Sequence, residues 1–82
     1  SIKQVEIADM DNPLEIGASI PGKVIKILVK EGDEVEEHQP LIVIEAMKME
    51  TNIVSKTNGK IKSIKVAENE MVSDKQLLMT LE

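Results

Sequence analysis

The chain has 82 residues, ten Lys or Arg, fifteen Asp or Glu, and a formal net charge of −5. It contains no Cys, Trp, Tyr or Phe and a single His. This is one small domain that can bury only about 60% of its unfolded surface. Disulfides and thiolate zinc sites are excluded. His38 has no partner for metal or acid–base work. The acidic balance and the lack of stacking aromatics argue against nucleic acid. No apolar run approaches the roughly 20 residues needed to span a bilayer, and no signal peptide is visible, so no membrane partner is expected. A core without aromatics must come from Ile, Val, Leu, Met and Ala, a composition that favours strands.

Residues 1–16 are polar, with Pro13 and an Asp9-Met10-Asp11-Asn12 cluster, and read as a linker or wrapping arm. Val5 and Ile7 alternate with polar neighbours, which allows a short strand. Asp9 and Asp11 invite a calcium reading. An EF-hand loop wants Gly at its sixth position, where Leu14 stands, so that reading is set aside.

Residues 17–82 read as the folded domain. Gly17-Ala18-Ser19-Ile20 is expected as a short strand, turned by Pro21-Gly22. Lys23 to Lys30 is expected as the longest strand. Glu31-Gly32-Asp33 is a tight turn, with Gly32 suited to positive φ. A short strand at Val35 and a polar connection through His38 follow. Leu41 to Glu45 and Glu50 to Val54 read as the arms of a hairpin. Asn58-Gly59 turns the chain, Lys60 to Val66 is a strand, and Glu68-Asn69-Glu70 turns it again. Val72 marks a short strand, and Leu77 to Leu81 is the last one. The acidic turns and Met10, Met71 and Met79 read as solvated loops and apolar fillers.

The order of elements repeats. Shifting by 37 positions sets Gly22–Glu45 on Gly59–Glu82 without a gap, and nine of the 24 pairs are identical. They include Gly22/Gly59, Ile27/Ile64, Glu31/Glu68, Val35/Val72, Leu41/Leu78 and Glu45/Glu82. Gly32 falls on Asn69, the next-best residue for a left-handed backbone. Neither half has enough apolar surface to stand alone. The expected fold is all-β: a flattened barrel or sandwich of two four-stranded antiparallel sheets with pseudo-twofold symmetry. Val24, Ile27, Val29 and Ile61, Ile64, Val66 are spaced three and then two, where a regular strand repeats at two. A bulge is therefore expected near Ile25-Lys26 and Lys62-Ser63, where the strand would cross between sheets. Ile42, Ile44, Met79 and Leu81 are expected to face inward. Lys48 should sit at the pole away from the chain termini.

The chemistry concentrates at Ala46-Met47-Lys48-Met49. One lysine at a hairpin tip stands between two methionines. A lysine amine attacks only when deprotonated. No second cation lies beside Lys48, and a hairpin tip offers no apolar pocket. An acceptor amine, activated in another enzyme's site, fits better than a Schiff-base lysine. Flanking Met side chains would be soft, adaptable contacts for that enzyme.

These four residues resemble the biotinylation motif of the biotin carboxyl carrier domains of biotin-dependent carboxylases. The resemblance covers residues 17–82. It implies that Lys48 carries biotin through an amide, and that Ala46, Met47 and Met49 are read by a biotin protein ligase. It implies a non-catalytic carrier moving carboxyl groups between a biotin carboxylase site, using ATP and bicarbonate, and a carboxyltransferase site. It places the chain in the cytoplasm, or in the mitochondrial matrix of a eukaryote. The tight Glu31-Gly32-Asp33 turn leaves no room for the thumb insertion of some acetyl-CoA carboxylase carriers. Asn12-Pro13 and Ile16 to Gly22 resemble the lead-in to pyruvate carboxylase carriers, which would make pyruvate the acceptor and oxaloacetate the product. The alternatives are carriers of acyl-CoA carboxylases, oxaloacetate decarboxylases or transcarboxylases. Lipoyl domains usually have Asp before their lysine, where this chain has Met47. An unmodified interaction module docking through its Met-flanked tip stands as the contrasting class.

Overall fold

A computed structural model describes residues 5–82. Eight strands follow one another: β1 (Glu15–Gly17), β2 (Gly22–Ile27), β3 (Glu34–Val35), β4 (Pro40–Ala46), β5 (Met49–Val54), β6 (Gly59–Ile64), β7 (Met71–Val72) and β8 (Leu77–Leu81). They form two four-stranded sheets, ordered β1-β8-β6-β3 and β5-β4-β2-β7, with antiparallel pairing throughout. The fold class read from the sequence is the one observed. Residues 28–33 join β2 to β3 through the tight turn, without a thumb.

The two sheets are built alike, and the repeat explains why. β1, β8, β6 and β3 stand where β5, β4, β2 and β7 stand in the other sheet. The core is correspondingly a set of residue pairs 37 positions apart. Val24 and Ile61, Val35 and Val72, Leu41 and Leu78, Ile42 and Met79, and Ile44 and Leu81 are all buried. Ile16 and Ile53 form one more buried pair, so the structural repeat begins earlier than the identities show. Ile42, Ile44, Met79 and Leu81 face inward as expected. Leu41 is buried beside Ile42 because the β4–β5 register shifts between Pro40 and Ile42, turning two successive side chains toward the core.

The expected bulges are present and equivalent, with shifts between Val24 and Lys26 and between Ile61 and Ser63. They do not carry the strand to the other sheet. β2 pairs with β4 on both sides of its bulge (Val24↔Ile44, Lys26↔Val43), and Leu28 N–H still donates to Leu41 O at 2.9 Å. The change of sheet comes after Leu28, on the way to β3. At each bulge the freed backbone groups bind the turn of the opposite half. Val24 N–H donates to Glu70 O and Ile61 N–H to Asp33 O, both at 2.9 Å. Asn69 N–H donates to Val24 O at 2.7 Å, and Gly32 N–H to Ile61 O at 2.8 Å. Ile27 N–H donates to Glu68 Oε2 at 3.1 Å, and Ile64 N–H to Glu31 Oε2 at 3.0 Å. The acidic turns are thus not merely solvated loops. Each supplies hydrogen-bond partners to the other half's strand.

The first short strand is β1 at Glu15–Gly17, not 17–20. Beyond Gly17, Ala18 leaves the ladder to trade backbone bonds with the β7–β8 turn: it donates to Gln76 O (2.9 Å) and accepts from Lys75 N–H (2.8 Å). The longest strand is β4, because β2 loses its ladder at Ile27 as it turns toward β3. The expected strand at Val5 and Ile7 is a single bridge, Ile7 to Gln76. Ala8 N–H donates to Lys75 O (2.8 Å), Leu77 N–H to Glu6 O (2.7 Å), and Lys56 Nζ to Met10 O (2.8 Å). Residues 6–10 are thereby laced onto the β7–β8 turn and the end of β5. Asp9 Oδ1 accepts from Asp11 N–H at 3.0 Å, a local turn bond. Ser1 to Gln4, the start of the expected arm, lie outside the described residues.

Candidate functional site

β4 and β5 form a hairpin whose closing pair is Ala46↔Met49, leaving the two-residue loop Met47-Lys48. Both loop residues have left-handed backbones, with φ of 52° and 64°. Positive φ at both central positions is the signature of a type I′ turn, the two-residue loop whose twist matches its strands. Asn-Gly is the usual occupant. A Met and a Lys there cost roughly 1–2 kcal/mol each in Cβ–carbonyl crowding. The cost is met by the strands below. Ile42 and Ile44 are anchored in the core, and the pairs Ile42↔Ile53, Val43↔Asn52, Ile44↔Thr51 and Glu45↔Glu50 hold the register. The tip therefore has one backbone geometry imposed on it.

Lys48 is exposed at that tip and makes no hydrogen bond or ion pair with any described residue. Met47 is 93% exposed and Met49 is 71% exposed, so neither methionine caps the core. Ala46 is half-buried and closes the hairpin. A primary amine, free and unshielded, flanked by soft apolar side chains, is what an acylating enzyme needs in an acceptor.

The position of the tip follows from the strand below it. β4 starts at Pro40, and the N–H of nearby Glu37 donates to Asn58 Oδ1 at 2.8 Å. Asn58 leads into Lys60, which exchanges both backbone hydrogen bonds with Glu82, at 2.8 and 3.1 Å. Glu82 therefore lies at the Pro40 end. The rise of β4, about 3.3 Å per residue, carries the chain roughly 20 Å to the opposite pole, where Lys48 stands.

One expectation fails here. The tip does have an apolar recess beside it. A groove of about 490 Å³ is lined by Pro21, Gly22, Lys23, Glu45, Ala46, Met47, Lys48, Met71 and Val72. Met71 is not an ordinary filler either. It is 69% exposed on the edge strand β7, paired with Lys23, which pairs in turn with Glu45. Gly22, one of the residues lining the groove, must lack a Cβ, because one there would collide with Glu45 O and stand 2.8 Å from Ile44 Cγ2. The sequence did carry a signal. Met71 is the repeat partner of Glu34, an exchange of charge for exposed apolar surface that a filler does not explain.

Residues 13–81 match the family described as biotin-requiring enzyme. The chain is 41% identical over 75 residues to a pyruvate carboxylase of Staphylococcus aureus, covering 92% of this chain and 6% of that protein. It is 39% identical over 82 residues to a pyruvate carboxylase of Bacillus subtilis, covering 100% of this chain and 7% of that protein. A biotin carboxyl carrier protein of Streptococcus mutans is 42% identical over 64 residues, covering 78% of this chain and 49% of that one. The chain thus spans a small fraction of the pyruvate carboxylases it matches. Among solved structures, the multifunctional pyruvate carboxylase of Rhizobium etli superposes with a TM-score of 0.79 at 27% identity, over 94% of this chain and 7% of that one. No helix among the described residues is long and apolar enough to cross a membrane. With the matched residues running through every strand and the tip, the chain belongs to the biotin-requiring enzyme family.

Proposed function

We propose that this chain is a biotin carboxyl carrier domain and that Lys48 is its biotin attachment site. The observation that carries the reading is the tip itself: a free lysine on a strained type I′ turn, between two exposed methionines. The amine is held where a ligase can reach it from outside. In the acylation, Nζ attacks the carbonyl carbon of an acyl adenylate. The C–N amide bond forms, the C–O bond to the phosphate breaks, AMP leaves with the electron pair, and the lysine proton passes to solvent. Bound biotin would supply a ureido nitrogen able to carry a carboxyl group. The domain contributes the rest: a rigid tip, far from the Glu82 pole, delivered at high effective concentration. Its partners are then a biotin protein ligase and the biotin carboxylase and carboxyltransferase domains of a carboxylase.

Pyruvate is the proposed carboxyl acceptor, because relatives near 40% identity over nearly the whole chain are pyruvate carboxylases. Carriers of the acyl-CoA carboxylase group are the second reading for the acceptor, supported by 44% identity over 62 residues to the alpha subunit of a mitochondrial methylcrotonoyl-CoA carboxylase of Dictyostelium discoideum, covering 76% of this chain and 9% of that protein.

The test is mass spectrometry of the intact chain after incubation with biotin protein ligase, biotin and ATP, followed by a tryptic map. One biotin, with cleavage lost after Lys48, is expected. A folded chain that takes no biotin overturns the reading. Lipoylation by a lipoyl ligase would then replace it, and no modification by either would leave a docking module.

A further inference from the structure

The poles of the two halves share a backbone and differ in chemistry. The groove beside Lys48 has a repeat-related counterpart of about 480 Å³, lined by Glu34, Val35, Glu36, Gln39, Asn58 and Gly59. Gly22 and Gly59, Val72 and Val35, and Pro21 and Asn58 are equivalent positions. The edge strands pair alike, Gly22↔Val72 with Lys23↔Met71 against Val35↔Gly59 with Glu34↔Lys60. Met71 therefore occupies the site of Glu34. The fold accepts a solvated glutamate on that backbone, so it does not require Met71. A methionine 69% exposed on an acidic chain is instead a candidate for burial by a partner.

The position says which partner. Met71, Lys23 and Glu45 lie in one row across three adjacent strands, and Glu45 stands just before the tip. Strand spacing of about 4.8 Å puts the Met71 backbone roughly 10 Å from that of Glu45. A protein surface that brings an activated acyl group to Lys48 Nζ covers that distance as a matter of size. Met47, Lys48 and Met71 line the same groove.

We propose that Met71 is a third methionine of the surface read by the biotin protein ligase, and that the groove between Met71 and the tip receives an apolar side chain of that enzyme. The proposal rests on Lys48 being the biotin acceptor. Met71 touches no reacting atom and acts as a docking residue.

The experiment measures initial rates of biotin transfer by a biotin protein ligase, with biotin and ATP saturating and the carrier chain varied. Met71→Glu, which copies the counterpart pole, is expected to raise KM for the carrier about tenfold with kcat within about twofold. Met71→Leu should restore a KM near the parent's, and Glu34→Met should change nothing. Melting temperature is followed for each variant. If Met71→Glu melts lower than the parent, Met71→Gln replaces it, being nearly isosteric. An unchanged KM in the folded variant overturns the proposal, as does a loss confined to kcat. Sedimentation equilibrium provides the other arm: a parent dimer dissolved by Met71→Glu makes the groove a self-association site and overturns ligase docking. A parent chain that takes no biotin overturns the acceptor reading itself. Biotin at Lys48 with no Met71 effect overturns only the docking proposal.

Discussion

The two halves of this molecule are one design used twice, and they part company at their poles. Between Ile16–Glu45 and Ile53–Glu82 the correspondence reaches single hydrogen bonds. The non-helical left-handed residues fall in register, Gly32 with Asn69 and His38 with Lys75. The local turn bonds do too: Glu36 N–H donates to Gln39 Oε1 at 3.0 Å, and Ser73 N–H to Gln76 Oε1 at 2.9 Å. Met47 and Lys48 are the remaining described non-glycine residues with positive φ, and they lie outside the two matched spans. Symmetry serves the core, and the departures from symmetry mark what the core does not need. Met71, where the other half has Glu34, and Pro21, where it has Asn58, both line the groove beside Lys48.

That contrast can be broken experimentally, most severely at the tip. Lys48→Arg keeps the charge and removes the proposed acceptor amine, so biotin incorporation should fall to nothing while the melting curve stays that of the parent. Intact mass after ligase treatment reads it, and residual biotin in the variant would refute the assignment. Inside the core the halves should respond equally. Leu41→Ala and Leu78→Ala each remove a fully buried side chain and should each cost about 3–5 kcal/mol in denaturant titrations. A twofold difference between them would show that the packing is less symmetric than the pairing.

The paired glycines should separate the halves instead. Gly22→Ala drives a Cβ into the Glu45 carbonyl and within 2.8 Å of Ile44 Cγ2. It should cost about 2 kcal/mol or more by chemical denaturation, since backbone must move. Gly59→Ala meets Glu82 O and Leu81 Cδ2 at 3.3 Å, which small shifts relieve, and should cost under about 1 kcal/mol. Smaller still are changes in the tip backbone. Met47→Asn places a residue tolerant of left-handed φ at 52° and should stabilise the hairpin by about 0.5 kcal/mol. Met47→Asp shares that tolerance but sets a charge beside Lys48. Biotinylation slowed in the Asp variant, with stability raised in both, would separate what the ligase is proposed to read from what the turn prefers.

Much of this was legible before any coordinates. The nine identities at a spacing of 37 identify a duplicated β-unit, and the three-then-two spacing of Val24, Ile27 and Val29 locates a bulge. Both are local signals, written in residue order. The tip was legible because Ala46-Met47-Lys48-Met49, four consecutive residues, resembles the biotinylation motif. The residues misjudged were those whose role is set across space. Glu31 and Glu68 looked like solvated turn residues, since nothing near them in sequence names Ile64 and Ile27 as donors.

What the sequence by itself determined is therefore the strand content, the doubled architecture and which lysine stands at the hairpin tip between two methionines. Apolar period, a repeat at fixed spacing and a four-residue motif are properties of residue order along the chain. Only the tertiary structure decided that the bulges bind the opposite half's turns and that Gly22 must lack a Cβ. It also decided that Met71, 23 positions beyond Lys48, shares its groove. These depend on which backbone groups a twofold packing brings face to face, and burial of two incomplete cores against each other, not local propensity, drives that packing.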